Sequence, residues 1–425
     1  MLSFFKINGK VPMHGEIKVQ GSKNAVLPMM AASVLNKGIT VIKNVPMILD
    51  VFCMIHILED LGCKVTLENE IVVIDSSVIT NTEISEKWVG QMRSSIMLLG
   101  PLLSRCNEAK TYFPGGCSIG ERPIDLHLKA LEQLGASFKE EGNQIIGRTK
   151  KLKGSTICFA FPSVGATENA IMAAVYAEGT TIIQNGAREP EIVQLCLFLN
   201  EMGANISGIG SSTIVIEGVT KLRDVQFTNC GDRIVAATLL SAAAICGGDV
   251  LVEGVEKEDL LYCLDALETV GCEIKSEKDK TYLLRRYPLK SINRLVTSPY
   301  PGFPTDCQSQ MMAVLSLANG VSTIEETIFE GRFNTANELK KMGADIIIDE
   351  EKNTATILGV KRLRGTTVKA LDLRGGAALV LAGLGAEGVT YVTDCHHILR
   401  GYSHFAEDLR SLGMDIVLCE EERIK

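Results

Sequence analysis

The sequence predicts an α/β protein of two domains, each built from three copies of one repeated strand–helix unit. The main observation is a short phrase that recurs six times along the 425 residues. The second observation is that 46% of the residues are apolar, so the chain can bury well over half of the surface that it exposes when unfolded. A chain of this length is long enough for two or three domains with cores of their own.

The repeated phrase is a helix end followed by an alternating strand. Leucine and a second apolar residue three positions later lie on one helix face, and the glycine that follows takes the left-handed conformation that ends a helix. Successive glycines are separated by 73, 68, 68, 72 and 70 residues. The six copies run from Leu58 to Gly62, Leu131 to Gly135, Leu199 to Gly203, Leu267 to Gly271, Leu339 to Gly343 and Leu409 to Gly413.

A second phrase, in which a small-residue helix leads to glycine and then to a β-rich run, predicts a further strand in the units. It occurs in AEGTTIIQN, CGGDVLVEGV, LANGVSTIEE and AEGVTYVTD. A unit of about 70 residues needs neighbours to close its core, and three units per domain is the natural division. An open solenoid of six units is the structural alternative, although solenoid repeats usually span about 20–50 residues.

The composition argues against several classes of protein. The net charge of −8 and the pI near 5.5 disfavour a nucleic-acid binder, which usually carries an excess of basic residues. No run of about 18 apolar residues and no leader pattern is present, so we expect a soluble, cytoplasmic protein. Thirteen cysteines occur singly, without a CxxC pair, and only His396 and His397 are adjacent histidines. We therefore expect reduced thiols, no metal and no cofactor.

Glycine and charged residues are concentrated in short loops that interrupt the apolar repeats. In GSKNAVLP, Lys23 and Asn24 open an apolar helix whose free N–H groups and dipole favour an anion, and a simple helix cap is the alternative. In PGGCSIGERP, three glycines with Cys117 beside Arg122 predict a mobile lid in which nearby cations pull the thiol toward thiolate. An ordinary exposed loop cysteine is the alternative for Cys117.

Arginine opens or precedes an apolar segment at several other places. Exposed ion pairs contribute little to stability, so stability alone does not explain this recurrence. We infer that these side chains converge on one anionic ligand. The positions are Arg93, Arg188, Arg233, Arg332, Arg374 and Arg400; Asp232 and Asp372 lie beside two of them in the sequence, and Asp306 lies in FPTDCQSQ.

Over the full chain these residues closely resemble the UDP-N-acetylglucosamine 1-carboxyvinyltransferase family, whose members catalyse the first committed step of peptidoglycan precursor synthesis. The cysteine loop together with FPTD and DLR makes the resemblance highly specific. The matching segments, in order, are GSKNAVLP, QMRSSI, PGGCSIGERPIDLH, SVGAT, AREPEI, DRI, FPTDCQ, FEGRF, DLRGGAALVLAG and RGY.

The resemblance implies a two-domain inside-out α/β barrel, with helices in the middle, sheets outside and three βαβαββ units per domain. Residues 1–22 and 231–425 are expected to form one discontinuous domain, and residues 23–230 the second, which carries the Cys117 lid. The substrates are expected between the two domains, and closure upon the sugar nucleotide would complete the site and exclude water.

The resemblance also implies the reaction, in which the enolpyruvyl group of phosphoenolpyruvate passes to the 3-hydroxyl of UDP-N-acetylglucosamine and phosphate is released. Asp306 is then the general base on the hydroxyl, and Cys117 is the general acid and the target of the epoxide fosfomycin.

The implied substrate ligands fall into two sets. Lys23, Arg122 and Arg400 resemble the family's phosphate ligands, whereas Arg332 and Arg374 match groups around the carboxylate and the reacting carbon. The nucleotide sugar is expected against Asn24, Arg93, Pro123, Ile124, Asp125, Leu126, Ser163, Val164, Gly165, Asp306 and Ile328.

Four positions, Leu49, Phe161, Pro162 and Val235, depart from residues that are common in the family. They cluster around the expected uridine and diphosphate end, so enolpyruvyl transfer is better supported than the identity of the acceptor. Two alternatives stay open. One is a divergent relative that acts on another hydroxyl, such as that of shikimate 3-phosphate or of another nucleotide, and the other is a non-catalytic paralogue that binds a UDP-sugar.

Overall fold

A computed structural model of the chain describes residues 3–113, 119–120 and 123–420. These residues divide into two compact units. Unit 1 consists of residues 3–20, 119–120 and 231–420, and unit 2 of residues 21–113 and 123–230. Within the described ranges, every helix is too short or too polar to cross a membrane.

Strands and helices alternate along both units. The strands are β1 (Ser3–Asn8), β2 (Met13–Lys18), β3 (Ile39–Lys43), β4 (Lys64–Glu68), β5 (Ile71–Asp75), β6 (Glu108–Tyr112), β7 (Ser137–Glu141), β8 (Gln144–Arg148), β9 (Thr156–Cys158), β10 (Thr180–Gln184), β11 (Asn205–Ser207), β12 (Thr213–Glu217), β13 (Val225–Thr228), β14 (Gly248–Glu253), β15 (Glu273–Glu277), β16 (Lys280–Arg285), β17 (Leu295–Val296), β18 (Val321–Glu325), β19 (Asp345–Asp349), β20 (Thr354–Leu358), β21 (Thr367–Lys369), β22 (Val389–Thr393) and β23 (Asp415–Glu420). The helices are α1 (Lys23–Ala32), α2 (Leu49–Asp60), α3 (Glu86–Gln91), α4 (Leu99–Cys106), α5 (Asp125–Gln133), α6 (Val164–Ala174), α7 (Pro190–Glu201), α8 (Arg233–Cys246), α9 (Lys257–Thr269), α10 (Gln308–Leu315), α11 (Asn334–Lys341), α12 (Leu373–Gly385) and α13 (Phe405–Ser411). Short 3₁₀ helices are Ser33–Leu35, Arg93–Leu98, Thr305–Cys307 and Cys395–Arg400.

The strands form six sheets with one common plan. In the sheet β11-β12-β10-β9, β9 and β10 are parallel, and β12 is antiparallel to both of its neighbours. Its chain order, β9-α6-β10-α7-β11-β12, is a βαβαββ unit. The other sheets are β13-β3-β5-β4 and β6-β8-β7 in unit 2, and β15-β16-β14-β2, β17-β18-β20-β19 and β21-β22-β1-β23 in unit 1. The predicted α/β fold of six repeated units is confirmed.

Helices occupy the middle of each unit, and the sheets cover them. In unit 1, α8, α10 and α12 pack against one another and are buried along almost their whole length. Their many alanines and glycines permit this close approach: a Cβ added to Gly385 of α12 would clash with the Ile245 side chain of α8. In unit 2, α1 and α6 are buried in the same way, and α4 packs against α6. The prediction of helices inside and sheets outside is confirmed.

All six repeat phrases end in the predicted way. Each glycine has a left-handed φ between 87° and 103°. In the fifth copy, Gly343 donates its N–H to the carbonyl of Lys340, and Ala344 donates to Leu339, which together form a Schellman motif. The same pair of bonds ends the helices at Gly62, Gly135, Gly203, Gly271 and Gly413. The repeated phrase is therefore a helix stop that turns the chain directly into a strand.

A further backbone hydrogen bond joins the end of each of these helices to the next repeat. The N–H of Arg364 donates to the carbonyl of Met342 at 2.8 Å, just before β21 begins. Equivalent bonds run from Thr80 to Leu61, Lys153 to Leu134, Arg223 to Met202, Lys290 to Val270 and His14 to Leu412. The Arg223 bond leads into β13, which pairs with β3 of the first repeat, and the His14 bond lies on β2, which pairs with β14 of the fourth. Three repeats thus form a closed ring in each unit, so the open solenoid is wrong.

The cysteines behave as small apolar side chains. The twelve cysteines among the described residues form no disulfide bonds with one another, and seven of them are buried. Burial raises the pKa of Cys63 and of Cys196 to about 12, which keeps both thiols protonated.

We expect Gly203→Ala to destabilise unit 2 by about 1 kcal/mol, because the added Cβ meets no atom within 4 Å and the cost is that of a left-handed alanine at φ 101°. Gly90→Ala is the matched control: its Cβ also meets open space, but Gly90 lies in α3 without a positive φ, where alanine should stabilise by about 0.5–1 kcal/mol. Urea unfolding followed through Trp88, the single tryptophan, measures both variants. Equal shifts in the two variants would contradict the helix-stop assignment.

Candidate functional site

The three central helices of unit 1 begin with charged residues. Asp232 caps α8 and precedes Arg233, Asp306 lies in the 3₁₀ turn before α10, and Asp372 caps α12 and precedes Arg374 in its first turn. These positions are equivalent in the three repeats. Because the helices pack side by side, their charged beginnings come together at one end of the unit.

At the centre of this end, two arginines hold the Asp306 carboxylate. Arg332 Nη2 lies 2.5 Å from Oδ1, and Arg374 donates to Oδ2 from Nη2 at 3.1 Å and from Nε at 3.3 Å. The two guanidinium groups are buried, with side-chain exposures of 4% and 3%, whereas the Asp306 side chain is 28% exposed. The carboxylate is therefore bound by two buried guanidinium groups on its protein side and remains partly exposed to solvent.

Asp306, Arg332 and Arg374 form a charged triad, and each side chain of the triad favours the ionised form of its partner. Desolvation by burial acts to raise the pKa of Asp306, but the positive charges of Arg374 and Arg332 outweigh it and hold the pKa well below its usual range. Burial likewise acts to lower the pKa of Arg374, and the Asp306 carboxylate outweighs it and raises that pKa. Asp372 also lies 3.9 Å from Arg332 Nη1, so two carboxylates balance the two guanidinium groups, and an anionic ligand would bind by taking guanidinium N–H groups from them.

A second layer of contacts holds Arg332 in place. Its Nε donates to Thr305 Oγ1 at 3.2 Å, and Thr305 donates to the buried carboxylate of Glu326 at 2.9 Å. Glu326 also accepts the backbone N–H of Ile328 at 2.8 Å, so the predicted ligand Ile328 lies on a loop tied to the same network. The Arg332 guanidinium carbon lies 5.3 Å from the centre of the Phe329 ring, within cation–π range.

Arg400 also lies in unit 1, where it ends the 3₁₀ helix Cys395–Arg400. Burial, followed by the charges of neighbouring His396 and of Arg400, lowers the pKa of His397. This part of the chain therefore carries positive charge from Arg400 and a neutral imidazole beside it.

In unit 2, Lys23 has a buried partner that the sequence did not suggest. Lys23 lies in the first turn of α1, behind the N-cap Ser22, and its Nζ is 2.8 Å from Oδ2 of Asp50 on α2. Both side chains are at least 90% buried. Asn24 follows in the same turn and is half-buried. A lysine held in this way presents a fixed ammonium group at a helix N-terminus, which already favours anions.

The segment Ser163, Val164 and Gly165 starts α6, and Ser163 caps it by accepting the N–H of Ala166. The His127 ring packs against this start, because a Cβ on Gly165 would lie 2.9 Å from its Cε1. Asn169 Nδ2 lies 2.8 Å from His127 Nδ1. Since an amide N–H can only donate, Nδ1 is the acceptor and the ring proton of the neutral imidazole is on Nε2.

The remaining predicted ligands of unit 2 occupy the starts of short helices. Arg93 opens the 3₁₀ helix Arg93–Leu98, and Pro123 and Ile124 precede α5. Asp125 begins α5 and pairs with Lys129 at 3.0 Å, and Leu126 is half-buried beside it. Cys117 and Arg122, the predicted acid and one of the predicted phosphate ligands, lie outside the described residues.

The four departing positions are not alike. Phe161 and Leu49 are exposed by 41% and 45%, and Pro162 is half-buried. Val235 is buried in the first turn of α8, where its N–H donates to the Asp232 cap. Val235 is therefore part of the core of unit 1, whereas the others are accessible side chains of unit 2.

Several residues of these sites went unnoticed in the sequence. Asp50, His127 and Asn169 lie on the buried faces of α2, α5 and α6, and the sign that could have found them is a polar residue at a helix position predicted to face the core. Glu168 on α6 is a further example: burial, followed by the charges of Glu191 and Glu189, raises its pKa well above the usual value. Across the described ranges, no three His, Cys, Asp or Glu side chains come together as a metal site.

Comparison with known proteins identifies the relatives of this arrangement. The family model described as EPSP synthase (3-phosphoshikimate 1-carboxyvinyltransferase) matches residues 7–409. The UDP-N-acetylglucosamine 1-carboxyvinyltransferase 2 of Caldanaerobacter subterraneus subsp. tengcongensis is 48% identical over 413 residues, which cover 97% of this chain and 99% of that protein. The chain belongs to the enolpyruvyl transferase family. A second relative, the UDP-N-acetylglucosamine 1-carboxyvinyltransferase of Finegoldia magna, is 44% identical over 425 residues, 99% of this chain and 100% of that protein. The resemblance inferred from the motifs is confirmed.

Solved enolpyruvyl transferases share the fold. The enolpyruvyl transferase NikO from Streptomyces tendae superposes with a TM-score of 0.88 at 24% identity and covers 98% of this chain and 99% of its own. The EPSP synthase of Acinetobacter baumannii superposes with a TM-score of 0.75 at 19% identity, covering 99% and 100%. At these identities the likeness speaks for the fold alone.

The buried carboxyl of Glu168 predicts a pH-dependent stability. Between the ordinary carboxyl pKa and the raised one, the unfolded chain loses the proton and the folded protein keeps it, so stability falls as the pH rises. Glu168→Gln should remove this loss, and the variant should gain on the original protein by up to about 1.4 kcal/mol per pH unit across that window. The free energy of unfolding, measured in urea between pH 5 and pH 9, tests this. Glu140→Gln, on the exposed part of β7, is the control, and an unchanged pH slope in Glu168→Gln would contradict the assignment.

Proposed function

We propose that this protein transfers the enolpyruvyl group of phosphoenolpyruvate to the 3-hydroxyl of UDP-N-acetylglucosamine and releases phosphate, the first committed step of peptidoglycan precursor synthesis. The observation that carries the proposal is the Asp306 carboxylate between the buried guanidinium groups of Arg332 and Arg374. Enolpyruvyl transfer needs a base for the acceptor hydroxyl and, beside it, cations that bind a small dianion or trianion, and this cluster contains both kinds of group. The acceptor follows from the curated relatives, which share one name at 44–48% identity over nearly the full length.

The guanidinium pair binds and polarises phosphoenolpyruvate. The Arg332 guanidinium is preorganised by Thr305, Asp372 and Phe329, so it needs little reorganisation when charge develops at the reacting carbon. Guanidinium forks suit the planar carboxylate. Lys23, Arg122 and Arg400 bind the phosphate.

Asp306 acts as the base only after its partners change. While both arginines bind Asp306, its pKa is far below the usual carboxyl value, and the carboxylate is a weak base. When the anionic groups of phosphoenolpyruvate take over guanidinium N–H groups, the pKa of Asp306 rises toward a useful value. The anionic substrate thus activates the base that its own reaction needs.

The atoms then balance in two steps. Cys117 donates a proton to the methylene carbon, the sugar hydroxyl oxygen bonds to the adjacent carbon, and Asp306 takes the hydroxyl proton. In the second step the methyl carbon returns a proton to the thiolate, the carbon–oxygen bond to phosphate breaks, the leaving phosphate takes the proton from Asp306, and the enol ether remains. Asp306 and Cys117 are the proton-transfer groups, and Lys23 and Arg374 complete the catalytic set.

The nucleotide sugar is bound mainly by residues of unit 2. The start of α6 at Ser163, Val164 and Gly165 supplies N–H groups for the diphosphate, and Arg93 adds a cation. The other proposed contacts are Asn24, Pro123, Ile124, Asp125, Leu126, Asp306 and Ile328.

The proposal includes the domain division and the cellular setting. Residues 1–22 with 231–425 form one proposed domain and residues 23–230 the other, and Cys117 belongs to a loop of the second. The reaction takes place in the cytoplasm on small-molecule substrates, without a metal or cofactor.

Incubation of the protein with phosphoenolpyruvate and UDP-N-acetylglucosamine should release phosphate in proportion to sugar product, because the acceptor hydroxyl is required for phosphate to leave. Phosphate release and product mass measure this, with each substrate omitted in turn as the control. Release with shikimate 3-phosphate or another nucleotide in place of UDP-N-acetylglucosamine would overturn the acceptor. Binding of UDP-N-acetylglucosamine without turnover would identify the non-catalytic paralogue.

Asp306→Asn should lower kcat by about 100-fold or more, because the amide keeps the shape but cannot accept the hydroxyl proton. Binding of UDP-N-acetylglucosamine, titrated by calorimetry, should be retained. Asp349→Asn is the control, since Asp349 pairs only with Lys352 at the surface among the contacts described. Retained turnover in Asp306→Asn would remove this residue as the base.

A further inference from the structure

Behind Arg374 lies a chain of buried hydroxyl and amide groups that the reaction does not use. Tyr402 is 1% exposed, and its hydroxyl lies 2.9 Å from the hydroxyl of Thr238 on α8. Gln310 on α10 donates from Nε2 to the same Thr238 oxygen at 3.2 Å. The guanidinium carbon of Arg374 on α12 lies 5.8 Å from the centre of the Tyr402 ring. The group therefore links all three central helices of unit 1.

The hydrogen bonds of Thr238 determine which group is the donor at each contact in this buried network. Thr238 donates its only hydroxyl proton to the carbonyl of Ile234 at 2.7 Å. Its oxygen can then only accept, and it accepts from Gln310 and from Tyr402. The Tyr402 proton is therefore committed to Thr238, and the phenol oxygen offers only lone pairs to its other neighbour, the Arg374 guanidinium.

Two further observations agree with this direction. Burial raises the pKa of Tyr402, although the positive charge of Arg374 acts to lower it, so the phenol keeps the proton that it must donate. Arg374 donates from Nε and Nη2 to Asp306, and the Tyr402 hydroxyl is a further hydrogen-bonding neighbour of the same guanidinium.

We propose that Tyr402 is a positioning residue that, with Thr238 and Gln310 behind it, holds the Arg374 guanidinium in place for the anionic substrate. The inference rests on the proposed function, in which that substrate is phosphoenolpyruvate. Tyr402 supplies a ring face and an acceptor oxygen on the protein side, and Asp306 supplies a carboxylate on the solvent side. When the substrate replaces Asp306 as a hydrogen-bond partner of Arg374, the contact with Tyr402 keeps the guanidinium in the same position.

The test compares Tyr402→Phe, Thr238→Val and the double variant in steady-state kinetics. Tyr402→Phe keeps the ring that packs against Phe405 at a centroid distance of 4.5 Å, and Thr238→Val keeps the shape of the side chain while removing its hydroxyl. Each single variant should lower kcat/KM for phosphoenolpyruvate by about tenfold, the cost of a hydrogen bond to a charged group, while KM for UDP-N-acetylglucosamine stays unchanged. Because both substitutions break one link, the double variant should be no worse than the poorer single variant.

Tyr391→Phe is the matched control, since Tyr391 is a partly exposed tyrosine on the outer face of β22 in the same unit. Three results would each overturn the positioning role of Tyr402. They are losses in kcat/KM that multiply in the double variant, equal changes in the kinetic constants of both substrates, and kinetics of the single variants like those of Tyr391→Phe. Turnover by the original protein separates the two ideas. If the original protein is inactive, both the proposed function and the inference are wrong. If it is active and the Tyr402 and Thr238 variants are unaffected, only the positioning role of Tyr402 is wrong.

Discussion

Everything in each unit depends on the closure of three repeats into a ring. A single βαβαββ unit exposes one apolar face of its sheet and both sides of its first helix, and it cannot bury them alone. The bond from each helix end to the next repeat, such as Arg364 to Met342, fixes where the neighbouring strand starts, and β13 and β2 return the chain to the first member of each ring. Ring closure then forces the three first helices into the centre with their beginnings at one end. Loops that would be unrelated in an open array become neighbours, which is how Asp306 and Arg374, 68 residues apart, come into contact.

The resulting cluster is held together by charge and is open to change. Breaking a buried ion pair by removing one partner typically costs about 3–5 kcal/mol, because the other charge is left uncompensated. Asp306 is therefore the counter-ion of Arg332 and Arg374, and its lowered pKa reflects its attraction to the two guanidinium groups. An incoming dianion can replace it in this role. The same electrostatic attraction that stabilises the free protein thus becomes the driving force for loading the substrate and for releasing the base, so a low pKa in the free protein is compatible with base catalysis in the complex.

The sequence predicts the repeated fold well and the site only in part, for physical reasons. The fold is readable because the helix stop is local: a leucine, an apolar residue and a left-handed glycine act within one turn, and all six glycines adopt the expected φ. Arg332, Arg374 and Asp306 are readable as candidates because charged residues beside glycine interrupt apolar runs. Their partners are not. Asp50, Glu326 and Tyr402 matter through contacts across the ring, and no local pattern distinguishes them from an ordinary polar residue or a core aromatic. The absolute placement of Cys117 and Arg122 stays a prediction from the motif.

The distribution of the departing residues bears on which part of the reaction has been free to change. Val235 lies in the core of unit 1, and the charged triad and its supports in that unit contain none of the other departures. Phe161 and Leu49 are exposed on unit 2, with Phe161 two residues before the cap of α6. An aromatic face near a helix start can stack on a planar ring while the N–H groups of the helix bind an anion, a combination that suits a nucleotide without a cationic side chain. The exposed departures therefore lie on unit 2 beside residues proposed to bind the nucleotide sugar, whereas the Asp306, Arg332 and Arg374 cluster of unit 1 and its supports contain none of them, so the proposed enolpyruvyl chemistry at that cluster does not depend on which acceptor is bound.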